Sequence, residues 1–181
     1  MCIRDSAGAE MDNVDGVIVI GSGAGRMNTE NELVAIGRNA GHANQGAENV
    51  FIGLESGNNN STGYFNTFLG SNSGGGNTDG VLNTFIGKSA GQSNSEGSAN
   101  VFLGEAAGLE NTGGYGNVYV GQSAGRHNQG RGNVFIGQSV GEDPNEAPLN
   151  VDDELRIDNG NTVTPLLHGF LLRIHLLSMA T

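Results

Sequence analysis

The sequence predicts an all-β protein: a single-stranded β-solenoid of about eight coils of 16 or 17 residues, closed by a C-terminal capping β-hairpin. Three observations lead there. A glycine recurs at a near-constant interval through most of the chain, and a short apolar run ends at each of these glycines. The composition, with 32 glycines, 23 asparagines, no tryptophan and 36% hydrophobic residues in 181, excludes a thick globular core. Such a chain is either without order or ordered by repetition.

The N-terminal stretch, residues 1–16, stands outside the repeat and reads as a non-native or partial segment; its first six residues, MCIRDS, resemble a translated sequencing adapter. Repeats occupy residues 17–141. The clearest copies are NVFIGLESGNNNSTGYF, NTFLGSNSGGGNTDGVL, NTFIGKSAGQSNSEGSA, NVFLGEAAGLENTGGYG and NVYVGQSAGRHNQGRG, followed by NVFIGQSVG, with VIVIGSGAGRMNTENE and LVAIGRNAGHANQGAE before them. The anchor glycines are Gly21, Gly37, Gly53, Gly70, Gly87, Gly104, Gly121 and Gly137, each followed four residues later by another glycine. Seven residues after the first seven anchors stand Asn28, Asn44, Asn60, Asn77, Asn94, Asn111 and Asn128. A third glycine column runs through Gly46, Gly63, Gly80, Gly97, Gly114 and Gly130.

A unit this short cannot hold a helix, a strand and two turns. It suits one solenoid coil, two short extended segments separated by corners. Glycine and asparagine mark the corners because both tolerate the left-handed backbone region. Coils stacked about 4.8 Å apart would make a rod of roughly 40 Å. Stacked asparagine side chains are expected to form amide ladders between coils.

Alternation along N-[VT]-[FY]-[ILV]-G turns the aliphatic residues one way and the aromatic the other. With the aliphatics inside, against the small residues three after each anchor (Ala24, Ala40, Ser56, Ser73, Ala90, Ala107, Ala124), the rings of Phe51, Phe68, Phe85, Phe102, Tyr119 and Phe135 form an outer column. That column is the expected oligomer interface, because an apolar patch of several hundred Å² rarely stays uncovered. The opposite assignment, rings inside, leaves the same surplus. A strand apolar on both faces is normally buried on both.

Beyond the repeats, residues 142–169 read as an acidic loop and the capping hairpin, with ELRID and TVTPLL around an Asn-Gly turn. Pro144 and Pro148 mark where the regular coil stops. Residues 170–181 switch abruptly to leucines and read as a frameshifted tail.

The net charge is −11, and seven of the 19 acids lie between Glu142 and Asp158. Without a basic stripe, nucleic acid and anionic membrane surfaces are not expected partners. No run of about 20 apolar residues could span a bilayer. Cys2 is the single cysteine, so neither an intrachain disulfide nor a cysteine metal cluster is expected. GSGAG at 21–25 could suggest a dinucleotide loop and hence an oxidoreductase, a remote reading, because it continues into the next repeat rather than a helix. His42, His127, His168 and His175 show no metal-ligand spacing, and Asp79 in GGGNTDG stands alone where calcium-binding repeats carry an aspartate each time. Asp152, Asp153, Glu154 and Asp158 read as a solvated acidic flank. No catalytic, cofactor-binding or metal site is expected.

The unit N-[TV]-F-[IL]-G-x-x-[AS]-G-x-x-N-x-x-G resembles the head repeats of trimeric autotransporter adhesins of the YadA type. It is similar also to repeat regions of bacterial surface and phage tail-fibre proteins that carry an endosialidase-type intramolecular chaperone domain; ELRIDNGNTVTPLLHG, residues 154–169, is similar to the strand pair after their last repeat. The resemblance spans about residues 17–169. It implies a left-handed β-roll, a homotrimer, and a structural or adhesive role outside the cell, on a bacterial surface or virion fibre. The unit is longer than the adhesin head's, and the chaperone family's catalytic residues have no counterpart here. An alternative from the residues themselves is a binding solenoid for glycans or, with its repeating face, for ice, although only Thr67 and Thr84 occupy the relevant threonine column.

Overall fold

The structure, a computed structural model, describes residues 7–8, 15–142, 150–158 and, for the backbone alone, 167–170. It is a β-solenoid of about eight turns with no helix among the described residues. One short strand opens each coil: β1 (Ile18–Ile20), β2 (Val34–Ile36), β3 (Val50–Ile52), β4 (Thr67–Leu69), β5 (Thr84–Ile86), β6 (Val101–Leu103), β7 (Val118–Val120) and β8 (Val134–Ile136). Then come β9 (Glu154–Ile157) and β10 (Leu167–Phe170). Strands β1 to β9 pair in parallel in chain order, and β10 closes the sheet antiparallel to β9. Register is strict: Phe51 pairs Phe68, Phe68 pairs Phe85, Phe85 pairs Phe102 and Phe102 pairs Tyr119. A repeat of identical period leaves each residue's counterpart as its only in-register neighbour.

The second extended segment expected in each coil is absent; the wall facing the sheet is a run of turns. Two left-handed residues per coil bend it. The residue two after the anchor, Asn39, Glu55, Asn72, Ser89, Ala106, Ser123 or Ser139, has φ between 53° and 57°, and the glycine four after the anchor follows it into the same region. Backbone bonds still stitch the wall between coils, as from Gly74 N–H to the Ala90 carbonyl at 2.9 Å and Gly91 N–H to the Ala107 carbonyl at 2.9 Å.

The corner asparagines act through their side chains. Asn28, Asn44, Asn60, Asn77, Asn94, Asn111 and Asn128 are all fully buried and none has positive φ, so backbone tolerance is not what places them there. Asn44 donates to Asn28 at 2.6 Å, Asn60 to Asn44 at 2.6 Å and Asn77 to Asn60 at 2.7 Å, an amide ladder through the first four of them; beyond it both side-chain atoms of Asn94 lack a partner, and Asn111 donates to the Asn128 backbone carbonyl at 2.6 Å. The third glycine column makes room for it: a Cβ on Gly63 would lie 2.5 Å from Asn60 Oδ1 and 2.7 Å from Asn77 Nδ2.

A second ladder begins each strand. Asn49, Asn66, Asn83, Asn100, Asn117 and Asn133 are buried. In the middle of the rod, Asn100 Oδ1 accepts from the Asn117 N–H at 3.0 Å while its Nδ2 donates to the Gly114 carbonyl at 2.8 Å. Each side chain therefore satisfies two backbone groups of the next coil, groups that no water reaches. Asn100→Ala orphans both and is expected to cost about 2–6 kcal/mol, at roughly 1–3 kcal/mol per buried unpaired group. A fall in the urea midpoint at constant slope would measure it.

Candidate functional site

The structure reverses the expected faces. Phe51, Phe68, Phe85, Phe102, Tyr119 and Phe135 are 0% exposed within a single chain, so they cannot be an oligomer interface. Their rings stack inside the coil at 4.7–5.2 Å, with planes within 13° of parallel except at Phe51–Phe68. The cause is the facing wall. The small-residue column is buried as expected, but the room it leaves, together with the glycine four after each anchor, takes a ring: a Cβ on Gly91 would sit 2.5 Å from two Phe85 ring carbons. The ring is also the largest apolar area in the repeat, and burying it gains most.

The hydroxyl of Tyr119 makes no hydrogen bond of good geometry in this stack; burial is the main cause that pushes its pKa well above the ordinary tyrosine value, and the neighbouring Asn133 side chain offsets part of that rise. Unfolded tyrosine loses its proton near pH ~10. Above that pH the unfolded chain binds fewer protons than the folded one, so stability falls as pH rises. Tyr119→Phe is expected to remove this part of the alkaline loss and to leave neutral-pH stability equal or up to about 1 kcal/mol higher. Urea midpoints at about pH 8 and about pH 11 check it.

The aliphatic columns face outward instead. They comprise Ile18, Val34, Val50, Thr67, Thr84, Val101, Val118 and Val134, and Ile20, Ile36, Ile52, Leu69, Ile86, Leu103, Val120 and Ile136, extended by Leu155 and Ile157 of β9 in the same register. Leu69 and Leu103 are each 43% exposed, while the ring between each pair of columns is fully buried. No position in these columns is charged. Nine rungs about 4.8 Å apart and about 12 Å wide give roughly 500 Å² of flat apolar sheet. One flank carries the polar residues after the anchors, including Arg38, Lys88 and Glu105.

The other flank is the corner before each strand. Here Tyr64, Phe65, Leu82 and Tyr115 are about half exposed. The residue two before each of β1 to β8, at the corner, is left-handed in every coil: Phe65 at φ 57° and Leu82 at φ 60° share the column with Glu32, Glu48 and Ala99, and with Gly16, Gly116 and Gly132, and Asp153 holds the same place in the register of β9. A bulky side chain there is strained by about 1–2 kcal/mol.

The C-terminal end is closed by polar groups. In β9, Arg156 takes the ring's place, its guanidinium 5.7 Å above the Phe135 ring, and Glu154 takes the asparagine's, its N–H donating to Asn133 Oδ1 at 3.0 Å. Arg156 Nη2 and Glu154 Oε2 pair at 3.0 Å. A planar cation caps an aromatic stack without leaving its last ring face bare. The expected Asn-Gly turn between β9 and β10 and the 170–181 tail lie outside the described residues, except for the Phe170 backbone in β10.

The remaining candidates disperse. The GSGAG segment is a solenoid corner, where a Cβ on Gly21 would lie 2.6 Å from the Gly37 carbonyl oxygen. His127 pairs with Glu110 at 3.0 Å, and Asp79 accepts from Thr62 at 2.7 Å, both between coils. Among the described residues no three of His, Cys, Asp and Glu stand together to hold a metal ion. A polar depression of about 280 Å³, lined by Glu55, Asn58, Asn59 and Asn72, lies where Gly75 and Gly76 omit a rung of side chains. No helix of the described residues is long and apolar enough to cross a membrane.

The second asparagine column escaped the sequence reading as a functional element, although every N-[VT]-[FY] copy displays it. Its signal was a polar residue invariant at one rung position beside an apolar strand. No protein-family model, curated protein or solved structure matches the chain.

Proposed function

We propose that the chain is a non-enzymatic structural repeat module of a surface fibre, bacterial or phage, that associates with copies of itself through the outer aliphatic face of its sheet. One observation carries this: a flat, uncharged face two columns wide and nine rungs long on the outside of a rod whose core is already filled. Roughly 500 Å² of it, with the adjoining corner side chains, reaches or passes the largest patch of an ordinary monomer. Two such surfaces brought together bury about 1,000–1,200 Å², enough for a specific interface. A charge-free face between flanks, with charges on one of them, has the anatomy of an interface core and rim. The repeat's resemblance to fibre-head units supports a trimer and an extracellular place.

A second reading, glycan binding, loses the stacked rings, which lie inside. It keeps Tyr115, whose exposed ring is held by Arg131, with Nη1 donating to the phenol at 3.1 Å and the guanidinium 5.7 Å over the ring. Native mass spectrometry of the full chain, from low to high micromolar, is expected to show trimers. Leu69→Lys with Leu103→Lys is expected to return them to folded monomers. A wild-type chain that stays monomeric throughout overturns the proposal, and glycan-array binding by that monomer, lost in Tyr115→Ala, would replace it.

A further inference from the structure

On the wall across the coil from the sheet, the residues five and six after each anchor glycine stack into two outer columns. Asn58 and Asn59 stand there in one coil, Gln92 and Ser93 two coils on. Between them Gly75 and Gly76 leave the rung without side chains, and the gap is the polar depression of about 280 Å³. Its opening is held by the backbone. The Asn59 N–H donates to the Gly75 carbonyl at 3.2 Å and the Gly76 N–H to the Gln92 carbonyl at 2.8 Å, so the three coils keep their spacing across the gap. A Cβ on Gly76 would lie 2.7 Å from that same Gln92 oxygen, so this place has no room for a side chain.

Glu55 and Asn72 close one side of the depression, both half-buried and both at φ 56° in the left-handed column two after the anchor. Their backbones are pinned, the Glu55 N–H donating to the Arg38 carbonyl at 2.9 Å and the Asn72 N–H to the Leu54 carbonyl at 2.8 Å. The side chains, in contrast, are unspent. The Glu55 carboxylate and the amides of Asn58, Asn59 and Gln92 bond no other described residue, and Asn72 reaches only Ser71 Oγ, at 3.5 Å. Further along the same outer column, polar side chains do pair between coils, His127 with Glu110 at 3.0 Å. Four amides that each donate and accept, and one carboxylate that accepts, therefore converge on the gap with their bonding capacity free.

We infer that this depression is a binding site for one uncharged sugar ring. An anion is disfavoured, because the lining holds a carboxylate and no cation, and the chain's net charge of −11 adds to the repulsion. A metal ion needs six or so oxygens gathered around it; a gap of this size with one carboxylate does not supply them. An apolar ligand meets no apolar wall. A ring of neighbouring hydroxyls fits all of these groups, since each hydroxyl donates one bond and accepts two. The bare backbone of Gly75 and Gly76 lets the ring come close. The volume, just under the roughly 300–1,000 Å³ of drug-sized sites, takes a single ring and leaves the rest of a glycan outside. One ring held by a few hydrogen bonds binds at about millimolar concentration. The site lies across the coil from the aliphatic face and away from the Tyr115 corner, so it does not depend on self-association.

The test is a titration of the isotope-labelled full chain, followed by amide NMR signals, with glucose, galactose, mannose and N-acetylglucosamine, and with N-acetylneuraminic acid as the charged comparison, each to about 50 mM. At least one neutral sugar is expected to move the signals of Gly75, Gly76 and Gln92 and to saturate near a millimolar constant. Gly75→Asn restores the side chain that Asn58 supplies one coil earlier, and its Cβ meets nothing nearer than 3.4 Å, so the melting temperature is expected to hold while the affinity falls at least tenfold. No shift at these residues with any neutral sugar, or equal shifts in Gly75→Asn, overturns the site. So do shifts centred on Tyr115, or N-acetylneuraminic acid binding as tightly as the neutral sugars. Calcium chloride that moves the same signals at lower concentration than any sugar would make the depression a cation site instead.

Discussion

Gly87→Ala is expected to unfold the middle of the rod. Gly87 stands at φ 136°, a region that side-chain-bearing residues do not enter, and its Cβ would lie 2.4 Å from the Gly104 carbonyl oxygen and 2.6 Å from its carbon. Neither is the tip of a flexible side chain. The clash is with the backbone of the next coil, at the point where the Gly104 N–H donates to the Ile86 carbonyl at 2.8 Å. Relieving it means separating β5 from β6, so the loss should be at least about 4 kcal/mol, the range reserved for backbone and core failures. Coils contact only their neighbours, so hydrogen exchange should show protection lost first around β5 and β6 and later towards the ends. Gly113→Ala is the control: nothing lies within 4 Å of its Cβ, and it is expected to be neutral or slightly stabilising. Equal losses in the two variants would refute the close-approach account.

Phe85→Ala should be nearly as damaging. The ring is fully buried and lies 4.8 Å from Phe68 and 4.7 Å from Phe102, with planes within 6°. Truncation removes the transfer free energy of the ring and leaves a cavity that the stiff stack closes poorly, about 3–5 kcal/mol. Both neighbouring rings also lose a stacking partner, a contribution of roughly 0.5–1.5 kcal/mol per pair already contained in that range. Gly91 lets the experiment be made specific. Gly91→Ala, strained at φ 56°, brings a methyl onto the Phe85 ring, and its cost should be smaller in a Phe85→Leu background. Calorimetry or urea unfolding of the two single variants and the double variant reads the coupling. Additive losses would show that the ring does not fill the space opposite Gly91.

These expectations separate what the repeat alone dictates from what the folded coil adds. The number of coils, their parallel order, the register of Phe85 on Phe68 and the place of the anchor glycines all follow from spacing, because a chain that repeats every 16 or 17 residues can stack like on like in one way. The ladder of Asn28, Asn44, Asn60 and Asn77 was legible for the same reason, as a polar column at a fixed rung position.

Which side of the strand faces inward was not legible. Valine, phenylalanine and isoleucine in V-F-I are all apolar, so alternation divides them into two faces without ranking them. The decision lies across the coil, where Gly91 and Ala90 leave a slot the depth of a ring opposite Phe85, and that wall is a run of turns held by left-handed residues such as Glu55 and Ala106, whose types carry no such preference. The same holds for the surface. Sequence established that each coil carries more apolar area than a slender rod can hide; only the three-dimensional packing, by swallowing the rings, left that surplus on the aliphatic columns and on the strained corner at Phe65 and Leu82.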